Sequence, residues 1–396
     1  MRALDVVVVG GGGHVGLPLA VAFASRGLST GIYDLNQSAV DTVLSARLPF
    51  REDGAGPLLA TALEAGLLEA STDPGMVSRA DAVVVVIGTP VDEHLNPDPH
   101  AVPKALADIT GHLRDGQLVV LRSTVYPGVT KRVERTLTDA GLTVDVAFCP
   151  ERIAEGKAMT ELFNLPQIVA ARSQDVLDRA GKLFGVLTDS IVELAPEEAE
   201  LAKLFTNSWR YIKFAAANQF FQMANDHGLD YDRIRTALGQ DYPRAADMPG
   251  AGFAAGPCLF KDTMQLAAFT DNSFVLGHSA MLVNEGLPLY VVSTLEKRVE
   301  LAEMTVGILG TAFKGESDDT RSSLAYKLKR ILQFRAKDVV STDPFVSSDP
   351  ELVSLAEVLD RSDLLIIAAP HRQYADLVTD LPVVDLWNLR GNGTIL

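Results

Sequence analysis

The stretch Leu4-Asp5-Val6-Val7-Val8-Val9-Gly10-Gly11-Gly12-Gly13-His14-Val15-Gly16, continuing into the apolar-rich Leu17 to Ala24, decides the fold. A short β-branched run that breaks into glycine and resumes as an apolar helix former reads as strand, tight turn and helix. Within it Gly11, Gly13 and Gly16, with His14 and Val15 between the last two, fit G-x-G-x-x-G. The glycines of that pattern permit the turn, the close approach of a pyrophosphate to the backbone, and the packing of helix on strand. The next apolar run, Ser29 to Asp34, ends on a carboxylate where a ribose hydroxyl is bound in such units. A carboxylate at Asp34 repels a 2′-phosphate, and Leu35-Asn36-Gln37 offer no arginine to neutralise one, so NAD is expected over NADP.

Outward from this unit the rhythm repeats. Ala82 to Gly88, Leu118 to Arg122 and Val144 to Cys149 are further short apolar runs separated by amphipathic stretches, the alternation of a parallel sheet. From Pro196 to about Asp226 the pattern becomes a single long helix, opening Pro-Glu-Glu with acids in its first turn. A glycine- and proline-rich loop, Asp241 to Lys261, and two more helical stretches follow, to about Glu303. Strand signals return at Thr305 to Leu309, Val339 to Thr342, Leu364 to Ala369 and Val383 to Leu386. The expected architecture is α/β: two Rossmann-like doubly wound domains, residues 1–195 and 304–396, joined by a long central helix and a helical middle domain, residues 196–303. A helix of about thirty residues spans roughly 45 Å, more than one small domain covers, so a second copy of the chain is expected on its remaining apolar face.

Charge and cysteine content bound the partners. With 35 Lys+Arg against 51 Asp+Glu, the formal charge of −16 argues against nucleic acid or an anionic membrane. The two cysteines, Cys149 and Cys258, form neither a disulfide framework nor a metal-ligand spacing, which fits a reducing cytoplasm. The first apolar run follows only Met1-Arg2 and breaks into glycines, too short for a signal peptide or a membrane span.

Residue type alone leaves the chemistry open. Cys258, in Gly252-Phe253-Ala254-Ala255-Gly256-Pro257-Cys258-Leu259-Phe260-Lys261-Asp262, is either packed or a nucleophile, with small residues before it that allow a ligand close and Lys261 placed to favour a thiolate. Lys203 and Asn207, four apart on the long helix, are an exposed face or a buried polar pair. Glu151 and Glu155 are solvated loop acids or functional ones. Arg321, after Asp318-Asp319-Thr320, stands at an expected helix start, where backbone N–H groups favour phosphate; the alternative is N-capping with an incidental arginine.

Seven segments in order resemble the UDP-glucose/GDP-mannose dehydrogenase family over nearly the whole chain. They are Gly11 to Pro18, with His14 in place of the family's tyrosine; Gly88-Thr89-Pro90-Val91-Asp92; Ser123-Thr124-Val125-Tyr126-Pro127-Gly128; Pro150-Glu151-Arg152 to Glu155-Gly156; Ala199 to Lys203 and on to Asn207; Gly310-Thr311-Ala312-Phe313-Lys314; and Asp318-Asp319-Thr320-Arg321. The resemblance implies oxidation of an alcohol through an aldehyde to an acid with reduction of two NAD. It implies that Cys258 attacks the aldehyde, that Lys203 and Asn207 stabilise the oxygen's negative charge, that Glu151 is the base for hydrolysis, and that Thr124 and Asp262 position a water. Gly11, Gly13, His14, Val15, Gly16, Asp34, Thr89, Pro90, Ser123 and Thr124 are the implied cofactor contacts. Arg152, Glu155 and Lys203 are implied on the sugar side, Phe313, Lys314 and Arg321 on the uridine-diphosphate side, and Arg244 toward a neighbouring subunit's site.

Two departures bear on the sugar. The family has two glycines and a serine before the nucleophile where this chain has Ala255-Gly256-Pro257, and Pro150-Glu151-Arg152 with Gly156-Lys157 is closer to the branch acting on N-acetylhexosamines, chiefly UDP-N-acetylmannosamine. UDP-N-acetylglucosamine, UDP-glucose and GDP-mannose are the other substrates the resemblance allows. Competing classes are a two-electron dehydrogenase of the same fold with Cys258 merely packed, and a nucleotide-sugar binding protein without catalysis.

Overall fold

The computed structural model describes residues 3–89, 92, 98–394 and 396. It packs as two compact units, Met1–Phe205 and Thr206–Leu396. Unit boundary and long helix coincide: the helix runs Pro196–Asp226, as its sequence pattern predicts, and the division falls inside it. Glu198 reaches back to accept from Ala195 N–H at 2.8 Å, fixing the start of the helix. From Thr206 on, the helical segment expected as a middle domain packs with the C-terminal unit.

The N-terminal unit is built on eight strands: β1 Leu4–Val9, β2 Thr30–Tyr33, β3 Leu68–Ser71, β4 Ala80–Val85, β5 Leu118–Leu121, β6 Asp145–Phe148, β7 Gln167–Ala171 and β8 Ile191–Leu194. They lie in the order β3-β2-β1-β4-β5-β6-β7-β8 and pair in parallel except β6 with β7. The first six therefore form the doubly wound dinucleotide-binding order, with the reversal of direction between β1 and β4. From Val6 on, β1 alternates: Val6 and Val8 enter the core under helix Gly16–Ser25, Val7 and Val9 the core on the other face with Leu106 and Ile109.

The C-terminal unit holds β9 Thr305–Leu309, β10 Asp338–Thr342, β11 Leu364–Ile367 and β12 Val383–Val384, all parallel, in the order β10-β9-β11-β12. Its reversal lies between β9 and β11. Val306, Ile308 and Ile366 pack against Leu324, Leu328 and Val291 on one face, while Leu309, Leu365 and Ile367 pack against Val358 and Tyr374 on the other. In both units the crevice at the carboxyl ends of the strands, at the reversal, is where an open α/β sheet receives a ligand. Among the described residues no helix is long and apolar enough to cross a membrane.

Candidate active site

In the N-terminal unit the glycines of the first turn do different work. An added Cβ on Gly10, whose φ is +76°, would sit 2.0 Å from Val86 O; on Gly11, 2.8 Å from Val8 O; on Gly16, 2.5 Å from Gly10 O. Those three are required by the protein's own packing. Gly13 alone of the run keeps an open face, its nearest neighbour being Gly10 O at 3.7 Å. The helix that follows begins at Gly16 with Val15 as N-cap and no side-chain cap; Leu17 N–H donates to Gly13 O at 3.0 Å and Pro18 has no N–H, so the N–H groups of Val15 and Gly16 are the ones that face an anion at the turn. Asp34 accepts from Gly12 N–H at 2.8 Å and Asn36 N–H at 2.9 Å, which ties the end of β2 to the turn. An open glycine, an uncapped helix end and a carboxylate at the neighbouring strand fit NAD.

The two loops beside this turn are joined. Ser123 Oγ accepts from Ile87 N–H at 2.8 Å, and Thr89 Oγ1 donates to Thr124 O at 2.7 Å. Pro90, expected among the cofactor contacts, lies outside the described residues. His14 stacks on Phe50, centroids 4.0 Å apart, and its Nδ1 lies 3.0 Å from Glu155 Oε1.

Glu151 is buried, not solvated, and its neighbourhood holds a residue that sequence reasoning missed. Arg122, closing β5, has a fully buried side chain over the Phe184 ring. Its guanidinium donates to Cys149 O at 3.0 Å, to Gln167 Oε1 at 3.1 Å and to Glu151 Oε2. Glu151 Oε1 accepts from Arg152 N–H at 2.7 Å and Ile153 N–H at 3.0 Å. Glu52, also unforeseen, accepts from Gly156 N–H at 2.9 Å and Ala158 N–H at 2.7 Å, so carboxylates pin the loop carrying Glu155 at both ends. Arg152 donates its guanidinium to Pro166 O, and burial, only partly offset by Glu151, lowers its pKa. Cys149 is packed in the core, where burial pushes its thiol up to about 12.

In the C-terminal unit Cys258 is exposed and is the N-cap of helix Leu259–Phe269, so the loop expected to run to Lys261 stops at Cys258. The positive end of a helix favours an anionic sulfur. One turn on, Asp262 N–H donates to Cys258 O at 2.9 Å. The Asp262 side chain is fully buried; it accepts from Asn207 Nδ2, and its Oδ1 lies 3.2 Å from Lys261 Nζ. Asn207 is buried and Lys203 half-buried, so these two are not an exposed polar face.

The small residues before Cys258 serve the protein's own side chains. A Cβ on Gly252 would fall 2.2 Å from the Trp387 ring, and one on Gly256 2.6 Å from the Phe313 ring. Asn218, missed in the sequence, grips Gly252 from both sides, accepting from its N–H at 2.9 Å and donating to its O at 3.0 Å. An asparagine in an otherwise apolar turn of a long helix was its only signal.

Phe313 and Lys314 follow β9, at the reversal of the second sheet. Arg321 is half-exposed and held by Asp319 through its Nε, at 2.9 Å, and its Nη2, at 2.6 Å. It does not stand in the first turn of a helix, as expected: the helix starts at Leu324, capped by Ser323, whose hydroxyl accepts from Ala325 N–H. Arg244 is exposed, with Nη1 at 3.3 Å from Tyr242 Oη.

Comparison with known proteins agrees with this arrangement along the whole chain. Residues 5–187 match the NAD binding domain of the UDP-glucose/GDP-mannose dehydrogenase family, residues 197–285 its central domain and residues 307–391 its UDP binding domain. The UDP-N-acetyl-D-mannosamine dehydrogenase of Escherichia coli is 30% identical over 394 residues, covering 91% of this chain and 92% of that one. The structure of a Pyrococcus horikoshii UDP-D-ManNAc dehydrogenase superposes with a TM-score of 0.90 at 27% identity, covering 98% of this chain and 96% of that one. A UDP-glucose dehydrogenase from Pyrobaculum islandicum also gives 0.90, at 28% identity, covering 98% and 95%. The chain is a member of the UDP-glucose/GDP-mannose dehydrogenase family, an NAD-dependent oxidoreductase with an NAD binding domain before its central domain and a UDP binding domain after it.

Proposed function

We propose that this chain oxidises the C6 primary alcohol of a UDP-linked N-acetylhexosamine, UDP-N-acetylmannosamine first among them, to the carboxylate through a covalent bond to Cys258. The setting of Cys258 carries this reading: an exposed thiol at a helix N-terminus, its backbone tied to Asp262, whose buried carboxylate holds Asn207 and lies beside Lys261. NAD, when bound, accepts one hydride in each of the two oxidations. Gly11, Gly13, His14, Val15, Gly16, Asp34, Thr89, Ser123 and Thr124 line its site.

In the first oxidation the alcohol gives up its hydroxyl proton and a hydride and becomes an aldehyde. Cys258 Sγ adds to the aldehyde carbon, and Lys203 and Asn207, one turn apart on the long helix, donate to the oxygen that becomes negative. Departure of the second hydride leaves a thioester. Thr124 and Asp262 position a water and Glu151 takes its proton; the water oxygen bonds to carbon, the C–S bond breaks, and sulfur leaves with its electron pair. A carboxylate offers roughly four lone-pair sites, and three on Glu151 accept from Arg122, Arg152 and Ile153, which leaves one for the water. One water is consumed and two cofactor molecules are reduced.

Phe313, Lys314 and Arg321 take the uridine-diphosphate end, Arg152 and Glu155 the sugar side. Arg244 reaches the site of a second protomer. The Pro150-Glu151-Arg152 segment and the relatives named for UDP-N-acetyl-D-mannosamine favour an acetamido sugar over glucose or mannose. The protein works as a homodimer in the cytoplasm, its three domains being 1–195 for NAD, 196–303 for dimerisation and 304–396 for the UDP-sugar.

Cys258→Ala tests the covalent step. The variant should bind nucleotide sugar and NAD as the parent does but form acid at least about a hundredfold more slowly, since a hydride leaves readily only from an oxygen-bearing tetrahedral centre. Acid formation at the parental rate by folded Cys258→Ala would overturn the covalent route and return Cys258 to a packing role.

A further inference from the structure

The loop bearing Phe313 and Lys314 rests on a buried pair of titratable side chains that no step above uses. Asp343, immediately after β10, and His371, just beyond β11, have fully buried side chains. Asp343 Oδ2 accepts from Thr311 N–H at 2.6 Å, Ala312 N–H at 3.0 Å and His371 Nε2 at 3.0 Å. Its Oδ1 accepts from Phe345 N–H at 2.9 Å and Val346 N–H at 3.1 Å. Burial alone would raise this carboxyl; the hydrogen bond from His371 and the N–H groups of Phe345 and Thr311 outweigh it and hold it below the usual carboxylate range. The other ring nitrogen, His371 Nδ1, accepts from Glu316 N–H at 3.0 Å. An N–H donor facing Nδ1 requires a lone pair there, which puts the ring hydrogen on Nε2, toward Asp343. The imidazole is held edge-on by Phe345 and Tyr374, centroids 5.1 and 5.8 Å away.

The pair thus fastens both ends of one loop, Thr311-Ala312 through Asp343 and Glu316 through His371. Between them stand Phe313 and Lys314. The rest of the loop lies flush on the turn that presents His371: a Cβ on Gly310 would meet Ala369 Cβ at 2.7 Å, and one on Gly315 would meet Pro370 O at 2.4 Å. Glu316 itself adopts φ +59°, a conformation a non-glycine residue keeps only where its surroundings impose it. We propose that His371 is a positioning residue for nucleotide binding: with Asp343 it clamps the two ends of the 311–316 loop so that Phe313 and Lys314 are presented in one geometry to a nucleoside diphosphate. The proposal rests on the reading that this loop takes the uridine-diphosphate end of the substrate.

His371→Phe, which keeps a ring but removes both hydrogen bonds, and His371→Gln, which keeps a donor toward Asp343, test it in the full-length protein. Calorimetry with UDP is the primary measurement, with KM for the nucleotide sugar and for NAD beside it. His371→Phe should weaken UDP binding on the order of tenfold, the scale of one lost buried hydrogen bond. KM for the nucleotide sugar should rise in step, KM for NAD should stay within about twofold, and His371→Gln should recover part of the loss. UDP affinity within about twofold of the parent in folded His371→Phe overturns the proposal, as does an equal loss of NAD affinity, which would mark general damage. Parent protein that fails to bind UDP overturns the nucleotide reading itself, a different result from an unaltered affinity in the variants.

Discussion

At the scale of the residue, identical side chains carry unlike duties, and the first turn separates them. Gly10 is fixed by backbone conformation and by Val86 O, whereas Gly13 faces open space. Gly10→Ala should therefore destabilise folding on the order of 2–4 kcal/mol, the combined cost of a left-handed φ and overpacking, as read by the denaturant midpoint. Gly13→Ala should change stability by less than about 1 kcal/mol yet raise KM for NAD several-fold, because its Cβ occupies the approach of the pyrophosphate. The reverse pattern, Gly13→Ala unfolding the protein or Gly10→Ala tolerated, would place the cofactor elsewhere on the turn. The pattern G-x-G-x-x-G was legible in the sequence and the duty of Gly10 was not, since it depends on Val86, just past β4 and far along the chain. Arg122 was hidden for the same reason. An arginine just after an apolar strand reads as solvated, and its partners come from the loop after β6, Cys149 and Glu151, and from β7, Gln167. Asp343 and His371 likewise lie beyond the strand runs and belong to no motif that the sequence displays.

Among the elements, helix Pro196–Asp226 shows what periodicity can and cannot predict. Its length and start follow from Pro196, the first-turn acids and the break after Asp226. Its outer face does not close within one chain. Trp209 is 59% exposed, Phe220 45% and Met223 55%, and Ile234 and Leu238 on the next helix are also open. Side chains this large and apolar, at helical spacing, mark a surface built to be covered. Light scattering at micromolar concentration should give twice the chain mass, and Trp209→Glu with Phe220→Glu should give the single chain with its helical content kept. A monodisperse monomer of the parent protein would contradict the dimer. The strands unread in the sequence have plain reasons. β3, Leu68-Glu69-Ala70-Ser71, and β8, Ile191-Val192-Glu193-Leu194, are edge strands with little buried surface, so neither is an apolar run. β7 is wholly buried but short, and its alanines suit a helix as well as a strand. The glycines before Cys258 were read as room for a ligand; their contacts with Trp387 and Phe313 are long-range packing, invisible to local sequence.

For the whole molecule, the two sheets repeat one plan, a parallel doubly wound order with a glycine-bearing loop at each reversal, Gly10 to Gly16 in the first and Gly310 to Gly315 in the second. The first suits a dinucleotide and the second a nucleotide sugar, and on the proposed covalent route Cys258, at a helix start in the C-terminal unit, would supply what a plain alcohol dehydrogenase lacks. A two-electron enzyme of this fold would need no nucleophile and would stop at the aldehyde. The count of cofactor reduced per substrate decides between them. With UDP-N-acetylmannosamine limiting and NAD in excess, absorbance of NADH at completion, set against acid measured by mass spectrometry, should give two NADH and one carboxylate for each nucleotide sugar consumed. One NADH per sugar, with aldehyde as the product, would contradict the account.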